Sequence, residues 1–229
     1  MVAVSGFMSI GLDHAIMPPT PVAVAVGVLL AVALLGPAFD RRSVAIVAAA
    51  AAAPDLDLVF ALVGPGGPNA TLHTAFVPVL ATAALYYDTR IRGTSRVADR
   101  YGPYGVRVAW VAVAALAVAG VGVDAFSSEG VALLYPLSDR YYAIVGGCLL
   151  STQDGVVQTY VTVADGGVGV SSPGTLDTHA IPSPLAPGGE RRFRIVETGE
   201  QAVLVATALV ALPAKWLVER RDRSTEARG

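Results

Sequence analysis

Long apolar runs separated by short charged turns dominate the chain. A helix needs roughly 20 mostly apolar residues to cross a bilayer, and five runs approach that length. The first, Pro21 to Phe39, carries no charge and ends at the turn Asp40-Arg41-Arg42. The second begins at Ser43 and continues to about Val63, interrupted by Pro54, Asp55 and Asp57. The third, from about Thr74 to Tyr87, is short for a span, which leaves tilt, local bilayer thinning or an earlier start as open alternatives. The fourth, Val108 to Val123, is bounded by Arg107 and Asp124. The last runs from about Ala202 to Val218, with Lys215 placed to snorkel at its end. The alanine run Ala48 to Ala53 is a strong helix former and offers a close-packing face.

Between the fourth and last runs the periodicity changes. Gly130 to Leu150 is partly apolar and suits a re-entrant or interfacial helix. Ser151 to Glu200 is rich in Gly, Ser, Thr, Pro and acids, and the alternating stretches Val156 to Val163 and Arg192 to Val196 look like short strands. The expected fold is an all-α integral membrane protein: a bundle of about five transmembrane helices with a partly β or irregular extracytoplasmic loop or cap. Residues 1–150 form the helical bundle with the candidate site, 151–200 the loop or cap, and 201–229 the last helix and a basic tail.

Composition supports the membrane assignment. The 229 residues are 54% hydrophobic and 15% charged, against about 25% charged in a typical soluble domain. Mean hydropathy is +0.58. The formal net charge of -2 supplies no basic field that would point to nucleic acid. The arginines set an orientation, because short cytoplasmic loops collect positive charge. Arg41 and Arg42 follow the first run, Arg90, Arg92, Arg96, Arg100 and Arg107 lie between the third and fourth, and Arg220, Arg221, Arg223 and Arg228 follow the last. With five spans all three clusters fall on one side, which gives a multi-pass protein of the cell membrane with its N-terminus outside and its C-terminus cytoplasmic. The N-terminal segment is expected to be retained, since no basic region precedes Asp13 and Pro18, Pro19 and Pro21 interrupt the approach to the first run. One cysteine, Cys148, excludes an intrachain disulfide and a multi-cysteine zinc site, and among Val145, Leu149 and Leu150 it reads as a buried inert thiol.

Ionisable groups inside apolar runs carry the chemistry. A central aspartate costs about 2.5–3.5 kcal/mol on insertion scales, so its presence asks for a reason. In Pro54-Asp55-Leu56-Asp57 the proline breaks the helix locally, and both carboxylates can then turn towards one site. A divalent cation would compensate their mutual repulsion. The plainer reading makes them the polar end of the second run, capping a turn. By the topology above, His14, Asp55, Asp57, His73 and Asp124 reach one membrane level from four segments. Imidazole with carboxylate is a normal ligand mix for zinc, manganese or iron. A lone histidine near a helix end is more often a hydrogen-bonding residue than a ligand, and His179, in the polar loop, reads as solvated, or as an extra ligand if the loop folds back. Ser127 and Ser128 invite a nucleophile reading, but no histidine supports one, and helix-end capping fits better. Asn69-Ala70-Thr71 is a glycosylation sequon very close to the third run, which disfavours its modification.

These pieces resemble the membrane-bound metal-dependent hydrolases, a group also called LexA-binding, inner-membrane-associated hydrolases. The resemblance rests on Asp13-His14, Pro54-Asp55-Leu56-Asp57, Leu72-His73-Thr74 and Asp124-Ala125-Phe126-Ser127-Ser128-Glu129-Gly130-Val131, followed by Leu133-Leu134-Tyr135-Pro136. They stand in the family's order and cover roughly residues 10 to 145. The resemblance implies a helical membrane enzyme with His14, Asp55, Asp57, His73 and Asp124 as metal ligands. One departure stands out: the family's usual His-Arg pair is replaced by Pro68 and Asn69.

The leading expectation is a hydrolase that uses zinc or manganese at the outer membrane interface. Asp57 or Asp124 would act as general base, and the substrate would be an ester or phosphoester such as a lipid headgroup. Two other classes stay open: an ion-coupled transporter using Asp55, Asp57 and Asp124 as a relay, and a non-catalytic membrane scaffold or regulator.

Overall fold

The computed structural model describes residues 20–57, 70–127, 130–146, 148–151, 153, 155–164, 167–176, 196 and 198–226. His14, Pro68, Asn69, Ser128 and His179 lie outside these, as does the strand expected from Arg192 to Val196 except for its last residue.

Helix α1 spans Thr20–Leu34, with Pro21 in its first turn, where a missing N–H costs nothing. It stops at Gly36, whose φ of 52° suits glycine, and a 3-10 turn over Gly36–Ala38 follows. Asp40 then caps helix α2 (Arg41–Ala52), its side chain accepting the Ser43 N–H at 2.8 Å. Pro54 cannot continue an α-helical ladder, and the chain tightens into a 3-10 turn over Ala53–Leu56. The helix break expected from the sequence is therefore present.

Helix α3 (Phe76–Tyr86) runs into a π-helical turn at Tyr87–Ile91. Helix α4 (Arg96–Ala115) opens on the Ser95 cap and kinks at Gly102-Pro103. It then continues through a π-helical stretch, Leu116–Gly122, to a final turn at Val123–Ala125. Helix α5 spans Gly199–Glu226. Among the described residues two stretches are long and apolar enough to cross a membrane, Arg96–Ala125 and Gly199–Arg221, and Thr20–Leu34 is apolar but shorter. The other expected spans are represented by the short helices α2 and α3.

Helix α1 packs against both α2 and α5, and α2 packs against α4. The shared core is built largely from small and β-branched side chains: Ala25, Val28, Ala31, Val47, Ala51 and Ala115 among them. A methyl group on Gly27 would sit 2.6 Å from the Ala51 side chain, so α1 and α2 meet at glycine-on-alanine distance. One end of this bundle is basic and aromatic. There Arg107 Nε donates to the Leu34 carbonyl at 3.0 Å, Arg41 stands over Trp216, and Lys215 stands over Phe39 and pairs with Glu219 at 3.1 Å. The sequence-level grouping of these cations thus corresponds to a single end of the packed helices.

The segment after α4 departs from expectation. Over Gly130 to Leu150 no helix forms among the described residues. Gly130 takes φ 70° against the Tyr142 carbonyl, and isolated bridges join Val131 to Tyr142 and Ala143 to Ser171. Two antiparallel hairpins follow, β1 (Cys148–Ser151) with β2 (Gly155–Gln158) and β3 (Val161–Ala164) with β4 (Gly167–Val170). The alternating stretch Val156 to Val163 is therefore two strands, divided where the Gln158 amide bonds both the N–H and the C=O of Val161. Cys148 lies on the first hairpin and is exposed, which corrects the expectation of a buried thiol.

Candidate metal centre

The end of the bundle opposite the basic one gathers Asp55, Asp57 and Asp124. Asp40 and Asp55 bracket α2 and its 3-10 extension, 15 residues at about 1.5 Å each, so roughly 20 Å separates the two levels. Three elements meet there: the 3-10 turn carrying Asp55 and Asp57, the approach to α3 carrying His73, and the last turn of α4 carrying Asp124.

Gly120 makes this meeting possible. A Cβ at that position would lie 2.7 Å from the Pro54 ring and 2.9 Å from the Ala51 carbonyl oxygen. The bare glycine lets the broken end of α2 lie directly on α4. The π-helical stretch around Gly120 adds to the local rotation that aims Asp124 inward, a common device at functional sites.

His73 is completely buried, and Asp57 and Asp124 are 1% and 5% exposed. The two edges of the imidazole face different partners. On one edge, Nδ1 stands 2.9 Å from Asp57 Oδ2. Asp57 also accepts the backbone N–H groups of Leu72 at 2.6 Å and His73 at 3.3 Å. On the other edge, Nε2 stands 2.8 Å from Asp124 Oδ2 and 3.5 Å from Asp55 Oδ1. Close as these are, among the described residues Nε2 has no aligned hydrogen-bond partner, and neither does Asp55 Oδ2. One ligand atom from each of Asp55, His73 and Asp124 falls within 4.8 Å of the others.

These atoms fit a cation. With the Nδ1 proton given to Asp57, the Nε2 lone pair points at two carboxylates, an arrangement that repels unless positive charge lies between them. Protonation is one answer. Burial opposes the imidazolium, but the carboxylates of Asp124, Asp55 and Asp57, placed to accept from the ring N–H groups once both carry protons, outweigh it and hold His73 well above its ordinary pKa. Three carboxylates and one imidazolium still sum to -2, whereas a divalent cation beside neutral imidazole brings the group to -1. Nitrogen and carboxylate oxygen together suit zinc or manganese.

The structure thus brings together four of the five sequence-selected residues, Asp55, Asp57, His73 and Asp124, while His14 lies outside the described residues. It divides their positions: Asp55 and Asp124 share the Nε2 edge, and Asp57 lies behind the ring at Nδ1. Ser127 caps the end of α4, donating to the Asp124 carbonyl at 2.8 Å and accepting from the Gly130 N–H.

Two contributors escaped the sequence reading. Tyr141 is fully buried, and burial, followed by the nearby Asp57 charge and then Tyr135, pushes its phenol above the usual range. Nothing local in the sequence marks it. Thr74 donates to the Leu133 carbonyl at 3.1 Å, and the Ala75 N–H binds the same oxygen at 2.9 Å, which ties the segment after α4 to the start of α3. The adjacency of the His73-Thr74 and Leu133-Leu134 motifs carried that signal.

The model of a family described as YdjM inner membrane protein matches residues 16–219, nearly the whole chain. The chain belongs to that family, a family of membrane proteins. No curated protein and no solved structure matches it.

Proposed function

We propose that this member of the YdjM inner membrane protein family is a metal-dependent hydrolase acting at the outer membrane interface on an ester or phosphoester, a lipid headgroup among them. The observation that carries the proposal is the pair of buried atoms, His73 Nε2 and Asp55 Oδ2, without aligned hydrogen-bond partners among the described residues and beside Asp124 at one end of an apolar bundle. Asp55, His73 and Asp124 would hold the cation, and the resemblance adds His14 as a further ligand. A bound zinc or manganese ion would supply Lewis acidity, polarising the scissile bond and making water nucleophilic near neutral pH.

The chain's own groups do the rest. Asp57 fixes the imidazole tautomer through Nδ1 and orients the ring, as carboxylates behind metal-bound histidines commonly do. This is a positioning role, in place of the ligand or base role that its sequence context suggested. Asp55 Oδ2 would take a proton from the attacking water and return it to the leaving oxygen, and Asp124 would help hold the cation. The buried Asp55, Asp57 and Asp124 at one end and the basic residues Arg41, Arg107 and Lys215 at the other support a multi-pass arrangement with the site facing outward.

Asp55, Asp57 and Asp124 all lie at one end of the helices, which disfavours a relay through the midplane and with it the transporter reading. The scaffold reading is separated from the enzyme by turnover. Metal-loaded protein in nanodiscs should hydrolyse a chromogenic ester or phosphodiester, and Asp55→Ala should abolish this. Stoichiometric metal with no turnover of any ester or phosphoester would leave the scaffold.

A further inference from the structure

Beside the acidic cluster a cleft of about 630 Å³ opens between α3 and α4. Its mouth at Ala75, Gly122 and Leu133 adjoins residues of the site, since Ala75 follows His73-Thr74 and Gly122 precedes Asp124 by one turn or less. From there it follows α3 through Pro78, Val79 and Ala83 to Tyr86. Eleven residue steps at about 1.5 Å give roughly 16 Å, about the depth of one leaflet of a 30 Å hydrocarbon core.

The lining explains the hollow. Small side chains, Ala83 on α3 and Ala117 and Gly122 on α4, face one another and cannot fill the space. It offers an occupant almost nothing polar. The Thr82 hydroxyl lies within the cleft but donates to the Pro78 carbonyl at 2.7 Å, leaving the Tyr86 hydroxyl at the far end.

We infer that this cleft is the acyl-chain berth of a membrane glycerophospholipid whose headgroup reaches the Asp55–His73–Asp124 centre. The inference deepens the hydrolase reading by naming its substrate class, and it rests on that reading. Three observations favour a single lipid chain: the cleft's lining comes within two residues of His73 and Asp124 along the chain, it runs one leaflet deep, and its walls are largely apolar over that depth. The exposed apolar surface of α5, at Val203, Leu209 and Val210, lacks this link to the site.

The test uses the full chain in nanodiscs containing phosphatidylglycerol with a photoactivatable diazirine on one acyl chain, with crosslinks mapped by peptide mass spectrometry. Labelling should concentrate on Val79, Ala83, Ala117 and Val121 over the α5 residues. Chelation should bring it down to the α5 level. Ala83→Phe, and independently Ala117→Ile from the opposite wall, should abolish the enrichment while leaving metal content unchanged. Equal labelling of cleft and α5, or enrichment indifferent to both substitutions, would overturn the berth. Metal analysis of the same samples keeps the two readings apart. Bound metal with even labelling defeats the berth alone. Absence of metal defeats the metal centre, and with it the headgroup contact proposed here, whatever the labelling pattern.

Discussion

Replacing Asp57 by asparagine separates a ligand from a residue that positions one. Asp57 accepts three hydrogen bonds, from the N–H of Leu72 at 2.6 Å, the N–H of His73 at 3.3 Å and His73 Nδ1 at 2.9 Å. Asparagine is nearly isosteric but keeps only one acceptor oxygen, and its amide nitrogen must then face a donor. If the oxygen stays with Leu72, His73 Nδ1–H loses its acceptor; if it turns to Nδ1, the backbone donor of Leu72 is left buried and unmatched. Either outcome costs about 1–3 kcal/mol. Expressed in binding, that corresponds to a metal affinity about 10- to 100-fold weaker, the usual effect of losing such a support. Metal titration of purified wild type and Asp57→Asn, by competition with a chromophoric chelator, reads the shift. The variant should still bind one equivalent at saturation. Complete loss of metal, equal to that of Asp55→Ala, would show that Asp57 is itself a ligand. Unchanged affinity would show that the Nδ1 contact does not orient His73.

Gly120→Ala should act at a distance from the ligands: its methyl group would meet the Ala51 carbonyl at 2.9 Å, and overpacking of this kind costs about 1–3 kcal/mol, seen as a lower melting temperature together with weaker metal binding. A variant matching wild type in both would mean that α2 and α4 do not need this close approach. On the opposite side of the bundle, Asp88 accepts the Ser95 hydroxyl at 2.6 Å and the N–H groups of Arg96 and Val97, and these bonds, Ser95 first, lower its pKa. A lowered carboxylate pKa gives stability that is complete above the ordinary aspartate value of about 3.9 and fades as pH falls through the lowered one. Asp88→Asn should therefore melt earlier than wild type at neutral pH, with the difference shrinking in acid; a pH-independent difference would rule out the charge as its source. Metal removal should lower the wild-type melting temperature, since a ligand at 100 times its Kd stabilises by about 2.7 kcal/mol, and should leave Asp55→Ala unmoved.

The sequence was most informative where burying charge is expensive. Asp55, Asp57 and Asp124 stand out because apolar runs do not ordinarily carry acids, and the arginine clusters because they recur between the apolar runs. Pro54 announces the break in α2 by its lack of an N–H donor. Which carboxylate faces which edge of His73 was not legible, because that depends on the 3-10 turn rotating Asp55 and Asp57 apart, and on the Leu72 and His73 N–H groups drawing Asp57 behind the ring. Gly120 was equally silent, since its role exists only once Pro54 is packed against it. The region from Gly130 to Leu150 misled for a related reason. Its apolar content fits a helix, but long-range pairings such as Val131 with Tyr142 decide its conformation.

The most direct test of the metal centre is elemental analysis of the purified protein beside Asp55→Ala and His73→Ala. About one equivalent of zinc or manganese in the wild type, absent from both variants, is the expected result. A wild type that takes up neither ion when supplied with it, or variants that retain it in full, would contradict the assignment and leave the buried acids holding a protonated histidine.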